Sequence, residues 1–381
     1  MLAADFKALP SLKHLTIKSC GIAGKWLSVL LRHAQGLEEL HLEDCMQITW
    51  LSTEEENSPL SPISAPEASS PGNSYDGLPS SALDGLLRIP SNAISSLKKV
   101  SIRNCDVGTS EDAFARFTSL EELAIWDCPE LIWSLVRNDE SDNQANGRWL
   151  LPQSLGKLYI NESTETLQLC YPGNLTCLKK LEVGHSPGLR YLQLQTCTAL
   201  EELTIQGCAS LVALEGLRSL RRLKVCEWPG FIQCLERLAG QGYDMRPGLE
   251  SLEIADYSVL TTSFCIHLTS LQRLELVTGW SKETRLTDQQ EISLQLLTSL
   301  QDLRFGYSAN LTDIPVGLHN LRSLKRLEIN SCWRIARLPE RGLPPSLEEL
   351  DVSRCSKELT EQCRVRATRK LKVKIDGRYV N

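Results

Sequence analysis

Between Leu324 and Cys355 the order of apolar and polar residues is stated twice, as LKRLEINSC and again 23 residues later as LEELDVSRC. Leu324, Leu327, Ile329 and Cys332 return as Leu347, Leu350, Val352 and Cys355, so the apolar places are the first, fourth, sixth and ninth of a repeating unit. Alternation across places three to seven has the period of a strand, which sends the fourth and sixth side chains to a core and the third, fifth and seventh outward. Aligned on the first leucine, units begin at Leu12, Leu37, Leu97, Leu120, Leu155, Leu178, Leu200, Leu220, Leu249, Leu271, Leu300, Leu324 and Leu347, with a degenerate last one near Thr368. That predicts fourteen parallel strands, and a unit this short buries its leucines only by stacking on its neighbours. Leu189, Leu192 and Leu194 mimic a further strand, but they align with Leu211 and Leu214 on the descending part of the next unit, where no strand is expected.

Between the strands the pattern loses its period. ASLVALEGLRSL and WRIARLPERGLPPSL carry Leu, Pro and Gly punctuation that predicts short 3-10 turns and extended pieces, while AGKWLSVLLRHAQG has the spacing of an amphipathic helix. Two stretches interrupt the repeats. Residues 52–82, rich in Ser, Pro and Glu, cannot offset their ordering entropy and read as a disordered insertion; 137–147 (RNDESDNQANG) reads as a polar loop. Ser58-Pro59, Ser61-Pro62 and Ser70-Pro71 fit proline-directed phosphorylation, although a tolerated loop insertion explains them as well.

The 381 residues would suggest two or three domains, but internal repetition argues for one continuous domain, 1–381. The net charge of -6 argues against general nucleic-acid binding, and the charge is uneven: 321–381 holds 15 Lys and Arg against 8 Asp and Glu. Seven of the fourteen cysteines, Cys20, Cys45, Cys105, Cys128, Cys208, Cys332 and Cys355, occupy the ninth place. That regularity gives them a structural role as small inward groups and fits a reducing compartment, the cytosol with the nucleus as a second location. MLAADFKALPSLKHL has no signal-peptide pattern and no apolar run is long enough to span a membrane, so the sequons at Asn161, Asn174 and Asn310 read as chance matches.

The phrase LxxLxIxxC with a descending LxxLP is the signature of a leucine-rich repeat, and the fold class it predicts is an α/β leucine-rich-repeat solenoid, or horseshoe. About 14 parallel strands would line its concave face, with irregular, 3-10 and short helical segments on the convex side. LPPSLEELDVSRC and LPQSLGKLYI resemble the leucine-rich-repeat region of plant nucleotide-binding leucine-rich-repeat disease-resistance receptors, most of all the coiled-coil class of cereals. The resemblance implies a non-catalytic domain that binds a pathogen effector or a guarded host protein and restrains a nucleotide-binding signalling module. No GxxxxGK[ST] phosphate loop occurs; Gly24-Lys25 and Gly156-Lys157 lack the upstream glycine and the following Ser or Thr, so nucleotide binding does not carry over and no cofactor is expected. The alternative is a substrate-recruiting arm of an F-box ubiquitin ligase, which would need a Skp1-type adaptor.

Candidate contact residues follow from the outward places and the rim. Trp126 and Tyr159 lie on neighbouring strands; Arg222, Lys224, Arg273, Arg304, Arg326 and Glu328 project from later ones. Trp228, Tyr257, Trp280, Tyr307 and Trp333 fall where the chain leaves the sheet, either as interface anchors or as caps on the core. Lys370, Lys372 and Lys374 would share one face of the last strand and dock an acidic module, or keep that edge from pairing with other chains. His14, Glu39, His41 and Glu43 invite a metal reading, but no third ligand of fixed spacing supports it. No catalytic set is recognisable. The first strand starts without a polar capping unit, so its leucines are expected to want a neighbour.

Overall fold

The computed structural model describes residues 9–54, 84–109, 113–137, 148–149, 151–161, 169–170, 175–217, 219–240, 248–277 and 283–380. The chain divides into two compact units, Met1–Leu189 and Arg190–Asn381, each built from the same repeat.

The first unit contains β1 (His14–Lys18), β2 (Glu39–Glu43), β3 (Trp50–Thr53), β4 (Leu86–Ile89), β5 (Lys99–Arg103), β6 (Gly108–Thr109), β7 (Glu122–Trp126), β8 (Val136–Arg137), β9 (Arg148–Trp149), β10 (Lys157–Asn161), β11 (Leu169–Cys170) and β12 (Lys180–Gly184). β1, β2, β5, β7, β10 and β12 pair in parallel with every place of one repeat opposite the same place of the next, as in Leu158↔Leu123 and Leu158↔Leu181. These are six of the fourteen expected strands. β3, β4 and β6 form a second parallel sheet on the return segments.

The predicted amphipathic helix is present as α1 (Gly24–His33), whose Leu27, Ser28 and Leu31 are buried. Gly24 permits its approach to β4: a Cβ there would stand 2.5 Å from the Leu86 carbonyl carbon. Ser28 Oγ closes the contact by accepting from the Arg88 N–H at 2.7 Å. Of the two interruptions, Ser52 and Thr53 belong to β3 and Arg137 to β8, while 55–82 and 138–147, with the three Ser-Pro sites, lie outside the described residues.

The second unit contains β13 (Tyr191–Gln193), β14 (Glu202–Gln206), β15 (Ala213–Glu215), β16 (Arg222–Cys226), β17 (Ser251–Ile254), β18 (Arg273–Val277), β19 (Asp302–Gly306), β20 (Arg326–Asn330), β21 (Glu349–Ser353), β22 (Lys372–Ile375) and β23 (Arg378–Val380). β14 and β16 to β22 are the other eight repeat strands, and β23 folds back antiparallel on β22. One expectation is corrected here. Leu192 does pair with Leu214, as the alignment required, but the two belong to short strands, β13 and β15, of a separate sheet. Short helices of the expected kind, α2 (Phe231–Gly240), α3 (Asp288–Gln295) and α4 (Lys357–Arg364), fill return segments. Thr287 and Gln290 form a full capping box on α3, a signal present in TDQQ.

The frame rests on three periodic features. Fourth- and sixth-place residues such as Leu327 and Ile329 are fully buried, each worth about 1.5–3 kcal/mol relative to exposure. The eighth place turns the chain out of the sheet through a left-handed conformation, seen at Ser19, Asp44, Asn104, Asp127, His185, Glu227, Tyr307, Ser331 and Arg354, with Gly207 supplying it at no steric cost. The ninth place then points inward. Cys128 Sγ donates to Trp126 O at 3.2 Å and Ile102 O at 3.7 Å, and Cys332 Sγ repeats this with Asn330 O and Phe305 O at 3.4 and 3.7 Å, so each thiol ties its own strand end to the preceding one. Ser186 and Ser308 replace the thiol with a hydroxyl that donates to Gly184 O and Gly306 O. At β1, the edge of the described sheet, Leu15 is half-exposed and Cys20 is exposed, unlike their counterparts inside.

Candidate protein-recognition surface

Strand pairing in register sets each outward row side by side, so the charge on one repeat meets the same place on the next. In the second unit this produces a ladder. Lys224 Nζ lies 2.9 Å from Glu253; Arg304 reaches Glu275 and Glu328, both at 3.1 Å; Arg326 lies 3.6 Å from Glu328 and 3.7 Å from Asp351; and Lys374 Nζ is 3.0 Å from the buried Asp351. Arg304 Nε is too poorly aligned with Glu328 for a hydrogen bond, so that contact is coulombic. Arg222 pairs with Glu202, and Arg273 Nε with Asp302 at 3.2 Å. Among the described residues, the charged side chains singled out from the sequence in this unit are therefore engaged in ion pairs within the sheet face, except Lys370 and Lys372. Burial, then the neighbouring Glu253, raises the Glu275 carboxyl above its ordinary range.

The rim aromatics divide by place. Trp228 and Tyr257 occupy the ninth place, where cysteine usually stands, and turn inward: Trp228 Nε1 donates to Leu211 O at 2.7 Å and Tyr257 OH to Ser308 Oγ at 3.1 Å. Tyr307 at the eighth place is 48% exposed and Trp333 at the tenth 57% exposed. Trp280 lies outside the described residues. The lysine triplet is corrected by register: Glu349 pairs with Lys372 and Asp351 with Lys374, so the last unit begins at Lys370, which precedes β22 instead of sharing its face.

In the first unit, Glu38 on the second-place row is held by Lys13 and Lys98, whose hydrogen bonds depress its carboxyl to about 2. His14 Nδ1 and His41 Nε2 converge on Glu39 at 3.0 and 3.5 Å, and the His14 hydrogen bond lowers that carboxyl. Lys99 and Lys157 share Glu122 at 2.6 and 3.3 Å. Trp126 and Tyr159 are half-buried on the outward face, each beneath a cation: Arg103 is 5.8 Å from the Trp126 ring and Lys180 is 5.1 Å from that of Tyr159. Neither cation was singled out from the sequence, since only the register shows which ring each one reaches. Among the described residues no helix is long and apolar enough to cross a membrane.

Stacked parallel strands, a ninth-place thiol clamp and an open, variegated sheet face define a leucine-rich-repeat protein. No protein-family model matches the chain. Its curated relatives include plant disease resistance proteins. It is 29% identical over 212 residues to disease resistance protein RPS4B of Arabidopsis thaliana, covering 47% of this chain and 18% of that protein. To disease resistance protein RPS6 of the same plant it is 26% identical over 244 residues, covering 58% of this chain and 21% of that protein. The chain thus spans about a fifth of the length of these relatives. Among solved structures it is similar to an internalin of Listeria monocytogenes, with a TM-score of 0.39 and 17% identity over 97% of this chain and 87% of that one. It is also similar to TLR13 in a complex with ssRNA13, with a TM-score of 0.43 and 14% identity over 97% of this chain and 58% of that one.

Proposed function

We propose that the chain is a non-catalytic recognition domain of plant immunity, acting in the cytosol, whose outward sheet face binds a pathogen effector or a guarded host protein. The observation that carries this is the likeness to disease resistance proteins over about half the chain. The chemistry of the face supports a protein ligand: mixed charge on a sheet frame sets specificity and encounter rate, while exposed Tyr307 and Trp333 are suited to anchor it. Because the ladder in the second unit is neutralised from within, a partner there gains more from the rim aromatics than from Arg304, whose removal takes the ion-pair partner of Glu275, or from Arg326, whose charge is already engaged by Glu328 and Asp351. Lys370 and Lys372 remain open to an acidic module of a longer receptor, which binding of the ligand would release.

Quantitative co-precipitation of the tagged chain from plant tissue, with and without pathogen challenge, tests the reading. A nucleotide-binding resistance protein or a pathogen protein, reduced at least fivefold by Trp333→Ala with Tyr307→Ala, is the expected result. Stoichiometric recovery of a Skp1-type adaptor, or of neither partner, refutes it.

A further inference from the structure

The outward face of β5, β7, β10 and β12 differs from the ladder of the second unit in its floor and in its charge. Its fifth-place row runs Ser101, Ala124, Tyr159, Glu182 and its seventh-place row Arg103, Trp126, Asn161, Gly184. Ser101, Ala124 and Gly184 are small, and Ala124 and Gly184 are buried although they face outward, so the rings of Trp126 and Tyr159 flank a shallow floor. Four cations, Lys99, Arg103, Lys157 and Lys180, stand among two carboxylates, Glu122 and Glu182. Glu122 is already shared by Lys99 and Lys157. Among the described residues Arg103 and Lys180 form no ion pair, and each instead lies over a ring. The second-unit ladder, by contrast, balances Lys224, Arg304, Arg326 and Lys374 against Glu253, Glu275, Glu328 and Asp351.

From this geometry we infer that the face of β5 to β12 is a docking surface for an extended acidic peptide segment of a partner protein, with an apolar or aromatic residue between its carboxylates. The inference rests on the recognition reading above and names the chemistry of one partner. A guanidinium and an ammonium that lie over aromatic rings and form no close ion pair among the described residues select a carboxylate beside an apolar group: the ring contact holds the cation in place without neutralising it, and Arg103 is balanced only at longer range, by Asp44, whose carboxyl it helps to lower. Arg103 and Lys180 stand on the outer two of four strands, three spacings of about 4.8 Å apart, and are offset by four places, about 13 Å, along them, a diagonal of roughly 20 Å that is matched by about six residues of extended chain. A nucleic acid fits less well, since its closely spaced phosphates would pass Glu122 and Glu182, where discrete carboxylates need not.

A displayed library of random twelve-residue peptides, panned on the purified full chain at low salt, tests this. The expected result is enrichment of net-negative peptides carrying an aromatic residue. Their affinity falls at least tenfold with Arg103→Gln/Lys180→Gln, a surface pair whose fold is checked by circular dichroism, and stays within twofold with Arg337→Gln, an exposed residue of the second unit. Amide exchange protection on peptide binding is expected in β7 and β10. Enrichment of neutral or basic peptides, equal binding by the double variant, or tighter binding of a single-stranded oligonucleotide overturns the acidic-peptide surface. If peptides enrich but protect the second unit, recognition stands and this surface falls; if nothing enriches and co-precipitation finds no partner, both fall.

Discussion

The four described rim aromatics differ by one or two places in the repeat, and that difference predicts opposite consequences of truncation. Trp228 and Tyr257 sit at the inward ninth place, 6% and 0% exposed, whereas Tyr307 and Trp333 stand at the outward eighth and tenth. Trp228→Ala removes a ring tilted against that of Phe231, their centroids 5.0 Å apart, and leaves the Leu211 carbonyl without its indole donor. Large-to-small changes of this kind cost about 3–5 kcal/mol, of which an unmade buried hydrogen bond accounts for about 1–2 kcal/mol. Tyr257→Ala is expected in the same range, and Tyr307→Ala and Trp333→Ala within about 0.5 kcal/mol of the parent. A repeat array can open locally, so a single melting midpoint is a poor readout; native-state amide exchange in β16 and β17 reports the local free energy directly. A loss of 3 kcal/mol corresponds to exchange faster by roughly 100-fold. If Trp228→Ala leaves exchange in these strands within threefold of the parent, or if Trp333→Ala raises exchange in its own neighbours β20 and β21 as much, the assignment of inside and outside by repeat place is wrong.

Two further outcomes follow from the ionisation of half-buried and buried groups. Because Glu275 has a raised folded pKa, its ionised form opposes folding, so Glu275→Gln should match or exceed the parent in stability at pH 7. That difference should close as pH falls below the ordinary value of 4.5, where both states of the parent are protonated; urea unfolding at pH 7 and pH 4 checks it, and a variant markedly weaker at pH 7 refutes it. Burial pushes the thiols of Cys105, Cys197 and Cys332 up to about 11 and those of Cys265 and Cys363 to about 12, whereas Cys20 and Cys177 are exposed. Brief iodoacetamide treatment at pH 8, read by peptide mass spectrometry, should modify Cys20 and Cys177 among the described cysteines and spare the five buried ones.

The period and the inward or outward sense of places three to seven were legible in the sequence because both follow from local backbone geometry: alternation is a property of one strand, and repetition needs no partner to be seen. The same holds for α1, whose buried face is written in its spacing. Misreadings cluster where the pattern weakens. The return strands β13 and β15 are only three residues long, too short for periodicity to declare, and the last unit was set two residues early because Lys370 replaces its first leucine.

What only the tertiary structure decided is which groups meet. Residues such as Arg304 and Glu328 are 24 positions apart, and their contact depends on a register summed over a whole return segment, so a row that reads as open charge becomes a neutral ladder once the repeats stack. The same summation places Arg103 over Trp126 and Lys180 over Tyr159, so that each is held by a ring and not by a close ion pair among the described residues. Sequence alone determined the frame, since burial of the periodic leucines is a one-body property; the distribution of free and cancelled charge on its face is pairwise, and exists only when neighbouring repeats are side by side.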